Sequence, residues 1–189
     1  MSRTQPIAKT APEGLELATL AGGCFWCLEP AFAELKGVLD VECGYAGSDY
    51  ANANYEAVCT GNTGLAEVIH ILFDPQIISY ETLLQIFFVL HDPTTLNRQG
   101  NDIGTQYRSA IFTHHAAQNL TAQSMKNWVE QAIEQPVTTQ IEAFNPAQYT
   151  RAEEYHQEYF AHNPDNGYCQ MMIPNKLSKL RANFVQLLK

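Results

Sequence analysis

The order of strand-like and helix-like segments most restricts the fold of this chain. Short alternating or apolar runs predict strands, and apolar residues at helical spacing predict helices. Two strands follow each other with no helix between them, which argues against a doubly wound sheet. We expect an α+β fold: a two-layer α/β sandwich with a mixed sheet, a ferredoxin-like split βαβ core and a long C-terminal loop segment. The predicted strands span 15–21, 38–45, 65–73, 107–112 and 137–144, and the predicted helices span 25–36, 80–91 and 114–135.

Length, composition and charge narrow the class of protein. The chain has 189 residues, of which 46% are hydrophobic and 16% charged, as is typical of one globular domain. We expect a flexible arm at residues 1–14, a single domain over 15–174 and a helical tail at 175–189. A formal net charge of -9 argues against nucleic acid or an anionic membrane as a partner.

The sequence shows no membrane or export signal. No apolar run approaches the ~20 residues that cross a bilayer. Residues 1–14 also lack the apolar stretch of a signal peptide. We therefore expect a cytoplasmic protein.

Five cysteines leave catalytic, redox and metal roles open. Their odd number, in a chain of this size with no export signal, argues against a structural disulfide framework. Cys24 and Cys27 form a C-x-x-C with two large aromatic residues between them, which suits a thioredoxin-like dithiol poorly. A zinc site would need two further ligands, and no second C-x-x-C exists. The third interpretation is one nucleophilic cysteine with a distant partner thiol, while Cys43 and Cys59 are expected to be packed thiols.

Cys24 stands where a predicted strand turns into a predicted helix. Backbone N–H groups at a helix start favour a thiolate, which is the nucleophilic form of cysteine. Phe25 and Trp26 follow directly, so a reactive sulfur would lie beside an apolar aromatic wall. The alternative interpretation is a buried cysteine with two core aromatic residues.

Other polar residues could complete a site. Glu67 lies within an alternating strand, where partial burial would raise its pKa and make it a candidate general acid. Asp102 and Tyr107 crowd the entrance to a later strand, and Tyr55 could donate a hydrogen bond. Each of them could equally be an ordinary turn residue or a solvated surface residue.

Taken together, these segments resemble the A-type peptide-methionine (S)-S-oxide reductases, the family that reduces the S epimer of methionine sulfoxide. The resemblance covers about residues 17–170 in the right order. It is carried by Gly-Cys-Phe-Trp at 23–26, Gly-Tyr-Ala-Gly at 44–47, the segments 55–59, 64–67 and 91–109, Glu-Tyr-His-Gln-Glu-Tyr at 154–159, Asn163-Pro164 and Gly-Tyr-Cys at 167–169. The domain over 15–174 would then be the catalytic domain.

The resemblance implies a role for each matching residue. Cys24 would be the nucleophile and Glu67 the buried acid. The remaining roles are the wall for the substrate methyl group (Phe25 and Trp26), the binding of the sulfoxide oxygen (Tyr55 and Tyr107), the orientation of substrate (Asp102) and the resolving thiol (Cys169).

One departure from the family pattern concerns the resolving thiol. Many members have a small residue, often Gly, where this chain has Cys27, so two partner thiols are available. We expect Cys169 to resolve first, because a flexible segment can bring it to Cys24. Two cysteines three apart on a helix suit a disulfide only where the first turn relaxes. Cys27 is the second candidate.

The implied reaction needs no metal or organic cofactor. Glu67 would protonate the sulfoxide oxygen as Cys24 attacks sulfur, which leaves methionine and a cysteine sulfenic acid. An intramolecular disulfide would follow, and thioredoxin would reduce it. The substrate would be oxidised proteins or free methionine sulfoxide, and we expect a monomer. Two alternatives remain: a general C-x-x-C thiol-disulfide oxidoreductase, and an inactive binder of oxidised methionine.

Overall fold

Strands and helices follow one another in nearly the predicted order in the computed structural model of this chain, which describes residues 5–189. The strands in that part of the chain are β1 (Glu16–Gly22), β2 (Val38–Ala46), β3 (Ala66–Phe73), β4 (Arg98–Gln99), β5 (Asp102–Ile103), β6 (Ser109–Thr113), β7 (Gln140–Ala143) and β8 (Tyr149–Arg151). The α-helices are α1 (Phe25–Ala33), α2 (Tyr55–Cys59), α3 (Tyr80–Leu90), α4 (Ala116–Ile133), α5 (Tyr159–His162) and α6 (Gly167–Phe184).

One six-stranded sheet in the order β7-β6-β1-β3-β2-β8 organises the molecule. Neighbouring strands pair antiparallel, except that β6 and β7 are parallel, so the sheet is mixed. Strand β3 is inserted between β1 and β2, which makes β1–α1–β2 a split βαβ unit. The predicted α+β fold is confirmed.

The main core lies between the sheet and the helices. Helix α3 begins where the Ser79 side chain accepts a hydrogen bond from the Thr82 N–H, as expected for an N-cap. Its apolar residues other than Val89 are buried, and Leu83 and Phe87 are fully so. Helix α1 packs on β2 and β3 and contacts α6, while α3 contacts both α4 and α6. Removing this much apolar surface from water is the main force that holds the layers together.

The two ends of the chain differ in detail from the expectations. The arm predicted at residues 1–14 lies partly outside the described residues. Within 5–14, the Ile7 side chain is buried, and its N–H donates to Glu42 Oε2 at 2.9 Å. Lys9 Nζ donates to the carbonyl oxygens of Pro146 and Tyr149, both at 2.7 Å. The C-terminal helix begins at Gly167 rather than at 175, because the Asn166 side chain caps it by accepting from the Cys169 N–H.

No helix within the described residues is long and apolar enough to span a bilayer.

The turn from β1 into α1 depends on two glycines. A Cβ on Gly22 would lie 2.8 Å from the Phe87 ring, so the end of β1 fits against α3 only without a side chain. Gly23 has φ +92°, in the left-handed region, and a Cβ there would lie 2.6 Å from Gln99 Cγ. This turn therefore sets the position of Cys24 relative to β3 and β4.

We expect Gly23→Ala to destabilise the protein more than Gly14→Ala. Gly14 also has a positive φ, +80°, but a Cβ there has no atom within 4 Å. The control should therefore show backbone strain alone, about 1–3 kcal/mol, while Gly23→Ala adds overpacking of about 1–3 kcal/mol. Urea denaturation measures both free energies of unfolding. If both variants lost the same free energy of unfolding, the contact with Gln99 would not constrain the turn.

Candidate active site

A pocket at the C-terminal end of β1 brings together seven of the nine site residues that the sequence predicts. The pocket has a volume of about 140 Å³. Its lining consists of Cys24, Phe25, Trp26, Tyr55, Glu67, Asp102, Tyr107 and Tyr168. They come from α1, α2, β3, β5, the turn before β6 and the start of α6. The other two predicted residues, Cys27 and Cys169, lie behind this lining.

Cys24 occupies the N-cap position of α1 and is buried. Its backbone angles, φ -59° and ψ 126°, are not helical, so Cys24 stands just outside the first turn. Burial raises the pKa of the Cys24 thiol well above its ordinary value, and a hydrogen bond with Cys27 and the charge of Glu67 raise it further. Burial therefore opposes the thiolate form of Cys24 that a helix start favours.

Glu67 lies fully buried on β3, directly behind the start of α1. Its Oε2 accepts a hydrogen bond from the Phe25 N–H at 3.0 Å. Burial raises the pKa of this carboxyl to about 8, although the Phe25 hydrogen bond opposes the shift. Glu67 therefore carries a proton in a large share of molecules at neutral pH.

Two tyrosines of the lining are neutral hydrogen-bond donors. Burial raises the pKa of both Tyr55 and Tyr107 above the ordinary value, and the charge of Glu67 adds to the shift. Tyr107 lies in the 3-10 turn Thr105–Tyr107 rather than in the predicted strand, and β6 begins at Ser109. Both side chains are half-buried, so they can present hydroxyl groups to a ligand in the pocket.

The aromatic wall is held from behind by residues that the sequence analysis did not place in the site. The Trp26 indole stacks on Tyr159 with ring centroids 3.8 Å apart, and its Nε1 donates to His156 Nδ1 at 3.1 Å. The His156 ring is fully buried and lies 5.1 Å from the Phe25 ring. Burial lowers the pKa of His156, so the ring is neutral and its Nδ1 can accept. The stacked rings fix both wall residues before any ligand arrives.

Glu153 is a further supporting residue that the sequence did not reveal. One of its oxygens accepts from the Tyr55 N–H at 2.8 Å, and the other accepts from the Tyr45 hydroxyl at 2.9 Å. These bonds tie the start of α2, and with it Tyr55, to the segment after β8. In the sequence, the family-like run Glu-Tyr-His-Gln at 154–157 indicates that this segment belongs to the site, but the run does not include Glu153.

Cys27 lies in the first turn of α1, buried beneath Cys24. A hydrogen bond with the Cys24 thiol lowers the pKa of Cys27, and the positive charge of Lys176 on α6 also lowers it, against the effect of burial. The Cys27 thiol also donates to the Tyr168 hydroxyl at 3.8 Å. The two sulfurs of the C-x-x-C therefore share a hydrogen bond, and the pair can share one negative charge.

Cys169 does not lie in the loop that the sequence predicts. It occupies the first turn of α6 and is fully buried, since α6 packs against α1. Burial raises the pKa of its thiol. The composition of 163–167 suggested a mobile segment, but Asn166 serves as a helix cap there. Cys43 is buried as expected, whereas the expectation of a packed Cys59 is wrong because this thiol is exposed.

No group of three or more His, Cys, Asp or Glu residues that could hold a metal ion occurs in the described part of the chain.

Comparison with known proteins identifies the family. The family model described as "Peptide methionine sulfoxide reductase" matches residues 16–187. The chain belongs to the peptide methionine sulfoxide reductase family. A protein of Polynucleobacter asymbioticus named peptide methionine sulfoxide reductase MsrA is 51% identical over 176 residues, which cover 92% of either chain.

Solved structures of family members share the fold. Reduced Mxr1 from Saccharomyces cerevisiae is 35% identical with a TM-score of 0.80, and the match covers 87% of this chain and 94% of that one. Mxr1 in complex with Trx2 is 27% identical with a TM-score of 0.58, over 80% of this chain and 89% of that one.

Tyr168 is the member of the pocket lining that the sequence analysis did not single out. In the sequence, Tyr168 is the residue before Cys169 in the family-like Gly-Tyr-Cys segment, and the pattern predicts no role for it. Its hydroxyl donates to Asp102 Oδ2 at 2.6 Å, so α6 is joined to β5 across the pocket. The sequence does not predict this contact, since 66 residues separate the two side chains.

Proposed function

We propose that this chain reduces the S epimer of methionine sulfoxide, free or within oxidised proteins, to methionine. The observation that carries the proposal is the meeting of Cys24 and the largely protonated Glu67 at one pocket, beside a fixed aromatic wall. The product would be methionine, the enzyme would end as a disulfide, and the role would be the repair of oxidised proteins in the cytoplasm.

The pocket divides into an apolar side and a hydrogen-bonding side, which suits the groups on a methionine sulfoxide sulfur. The methyl group packs against Phe25 and Trp26. The oxygen points to Glu67, Tyr55 and Tyr107, whose protons it accepts. The sulfur also faces Cys24. The directions of its methyl group, its oxygen and the attacking thiolate are therefore all fixed, and only one epimer fits. The S epimer is the one that the resemblance to the A-type reductases implies.

The nucleophile becomes charged through the C-x-x-C pair. A proton that shifts from Cys24 to Cys27 along their shared hydrogen bond places the negative charge on the attacking sulfur. Protonated Glu67 assists this step, since its carboxylate form would raise the pKa of Cys24. The proton that Glu67 keeps is thus needed twice: to leave Cys24 ionisable and to neutralise the sulfoxide oxygen.

The reductive step transfers oxygen from sulfur to sulfur. The Cys24 thiolate attacks the sulfoxide sulfur while Glu67 donates its proton to the oxygen. The substrate's sulfur–oxygen bond and the new bond between Cys24 and the substrate sulfur then both break as the OH passes to Cys24. Methionine leaves, and Cys24 is a sulfenic acid. The substrate is reduced and Cys24 is oxidised by two electrons, so the step needs no metal or organic cofactor.

Of the two candidate resolving thiols, we assign Cys27 to the first attack. It already hydrogen-bonds to Cys24, and the non-helical backbone of Cys24 leaves the first turn free to form a disulfide. Cys169 is buried in α6 and would act later, by exchange with Cys27, after the first turn of α6 opens. Thioredoxin then reduces the final disulfide, as suggested by the complex of Mxr1 with Trx2.

The hydrogen-bonded C-x-x-C also suits the alternative function, a general thiol-disulfide oxidoreductase. Such an enzyme would use Cys24 and Cys27 alone and would not need Glu67 or the aromatic wall. Assays with methionine sulfoxide and with a protein disulfide separate the two functions.

We expect Cys24→Ser to abolish methionine formation from S-sulfoxide, because a serine hydroxyl is a far weaker nucleophile at neutral pH. Cys59→Ser is the matched control, since Cys59 is an exposed thiol outside the pocket lining and a serine hydroxyl can keep the hydrogen bond that joins Cys59 to Tyr55. Purified enzyme, racemic methionine sulfoxide and dithiothreitol suffice for the assay, with chiral separation of the remaining sulfoxide. Wild-type rates in Cys24→Ser, or reduction of insulin disulfides but not of the sulfoxide, would refute the proposal.

A second prediction separates the resolving thiols. Early in one turnover without reductant, peptide mapping should show Cys24 joined to Cys27 in both the wild type and Cys169→Ser. In the wild type this disulfide should then give way to one between Cys27 and Cys169, whereas in Cys169→Ser it should persist. Cys169→Ser should then cycle slowly with thioredoxin. Cys27→Ser should release methionine more slowly, because Cys27 no longer takes the Cys24 proton, and should then accumulate a sulfenic acid that dimedone traps. An early disulfide between Cys24 and Cys169 in the wild type, absent in Cys169→Ser, would make Cys169 the first resolver.

A further inference from the structure

Tyr168 links the second cysteine of the C-x-x-C to a carboxylate. The Cys27 thiol donates to the Tyr168 hydroxyl at 3.8 Å, and that hydroxyl donates to Asp102 Oδ2 at 2.6 Å. Both donors point the same way, from sulfur towards carboxylate. Burial raises the pKa of Tyr168, so its hydroxyl stays protonated and can pass a proton on only by receiving another.

We propose that Tyr168 and Asp102 remove the proton of Cys27 when Cys27 attacks the Cys24 sulfenic acid. This inference rests on the proposed function, because it concerns the step that follows methionine release. It gives Tyr168 a catalytic role through its contact with a reacting sulfur, and it gives Asp102 a role as proton acceptor in addition to the orientation of substrate.

The need for such a path follows from the state of Cys27 after the first step. The Cys24 thiol makes the largest contribution to lowering the Cys27 pKa, and that thiol is gone once Cys24 carries an OH. Cys27 has by then also taken the proton that left Cys24. The groups that remain around it are Lys176, Tyr168 and Cys169 on α6 and Asp102 on β5, with Glu67 of β3 also in range. Burial opposes direct ionisation to water.

The step balances in atoms and electrons. The Cys27 proton passes to the Tyr168 oxygen while the Tyr168 proton passes to Asp102, and the Cys27 sulfur bonds to the Cys24 sulfur. The sulfur–oxygen bond of the sulfenic acid breaks. The leaving hydroxide takes up a proton from solvent and is released as water. The Cys24 sulfur is reduced from the oxidation state of a sulfenic acid to that of a disulfide. The Cys27 sulfur is oxidised from the thiol to the same disulfide state. Asp102, which is half-buried at the pocket, returns its proton to solvent, so no net proton is consumed.

The test follows disulfide formation after one turnover in the full-length Cys169→Ser protein, where only Cys27 can resolve. Rapid quenching with an alkylating agent and mass measurement give the rates of methionine release and of disulfide formation separately. Tyr168→Phe, which removes only the hydroxyl, should slow disulfide formation by roughly 100-fold, the scale of lost proton-transfer catalysis. Any effect on methionine release is measured in the same sample and must be the smaller of the two.

The pH profile distinguishes proton transfer from a structural role of Tyr168. With the path intact, the rate of disulfide formation should vary little with pH across the neutral range. In Tyr168→Phe it should rise about tenfold per pH unit, because Cys27 must then ionise to solvent. Asp102→Asn keeps the Tyr168 hydroxyl but loses the basic oxygen, and it should show the same slope.

Two results would overturn the inference: an unchanged rate and profile in Tyr168→Phe, or a slower rate with the wild-type pH profile. Both require that methionine is released in the first turnover. If the parent protein releases no methionine, the proposed function itself fails, so the two failures are distinguishable.

Discussion

The hydrogen bond from the Phe25 N–H to Glu67 is the interaction on which the rest of the site depends. It joins the first turn of α1 to the middle strand of the split βαβ unit at 3.0 Å. The strand supplies the burial that raises the Glu67 pKa, and the helix supplies the N–H that keeps the carboxyl in place. Cys24 precedes Phe25, so the same bond sets the distance between acid and nucleophile. A carboxyl without this anchor could turn to solvent and lose the proton that the reaction requires.

The site couples four ionisable groups rather than tuning one thiol. Burial alone would make Cys24 a poor nucleophile. Cys27 compensates by sharing a hydrogen bond with it, while Lys176 on α6 favours the negative charge of the pair. Protonated Glu67 removes a repulsion that its carboxylate would add. Cys27 therefore does two things: it provides a second thiol, and it changes how the first thiol gives up its proton.

The sequence predicted most of the fold and of the pocket because both depend on local patterns. The apolar periods marked the main strands and helices, and Cys24, Phe25 and Trp26 are adjacent in the chain. The supporting residues were missed because their partners are distant: His156 meets Trp26 across 130 residues and Tyr168 meets Asp102 across 66. The Asn, Pro and Gly residues near Cys169 predict a flexible loop. One of them, Asn166, instead caps the helix that holds Cys169. Side-chain capping and tertiary packing decided between the two outcomes.

The pH dependence of methionine release in the first turnover tests the central claim most directly. If Glu67 must hold a proton, the rate should fall as pH rises through about 8, where the carboxyl loses it. In Glu67→Gln the rate should be lower by roughly 10²- to 10⁴-fold, and the fall near pH 8 should be absent. A wild-type rate that keeps rising with pH, as ionisation of Cys24 alone would give, would contradict the account.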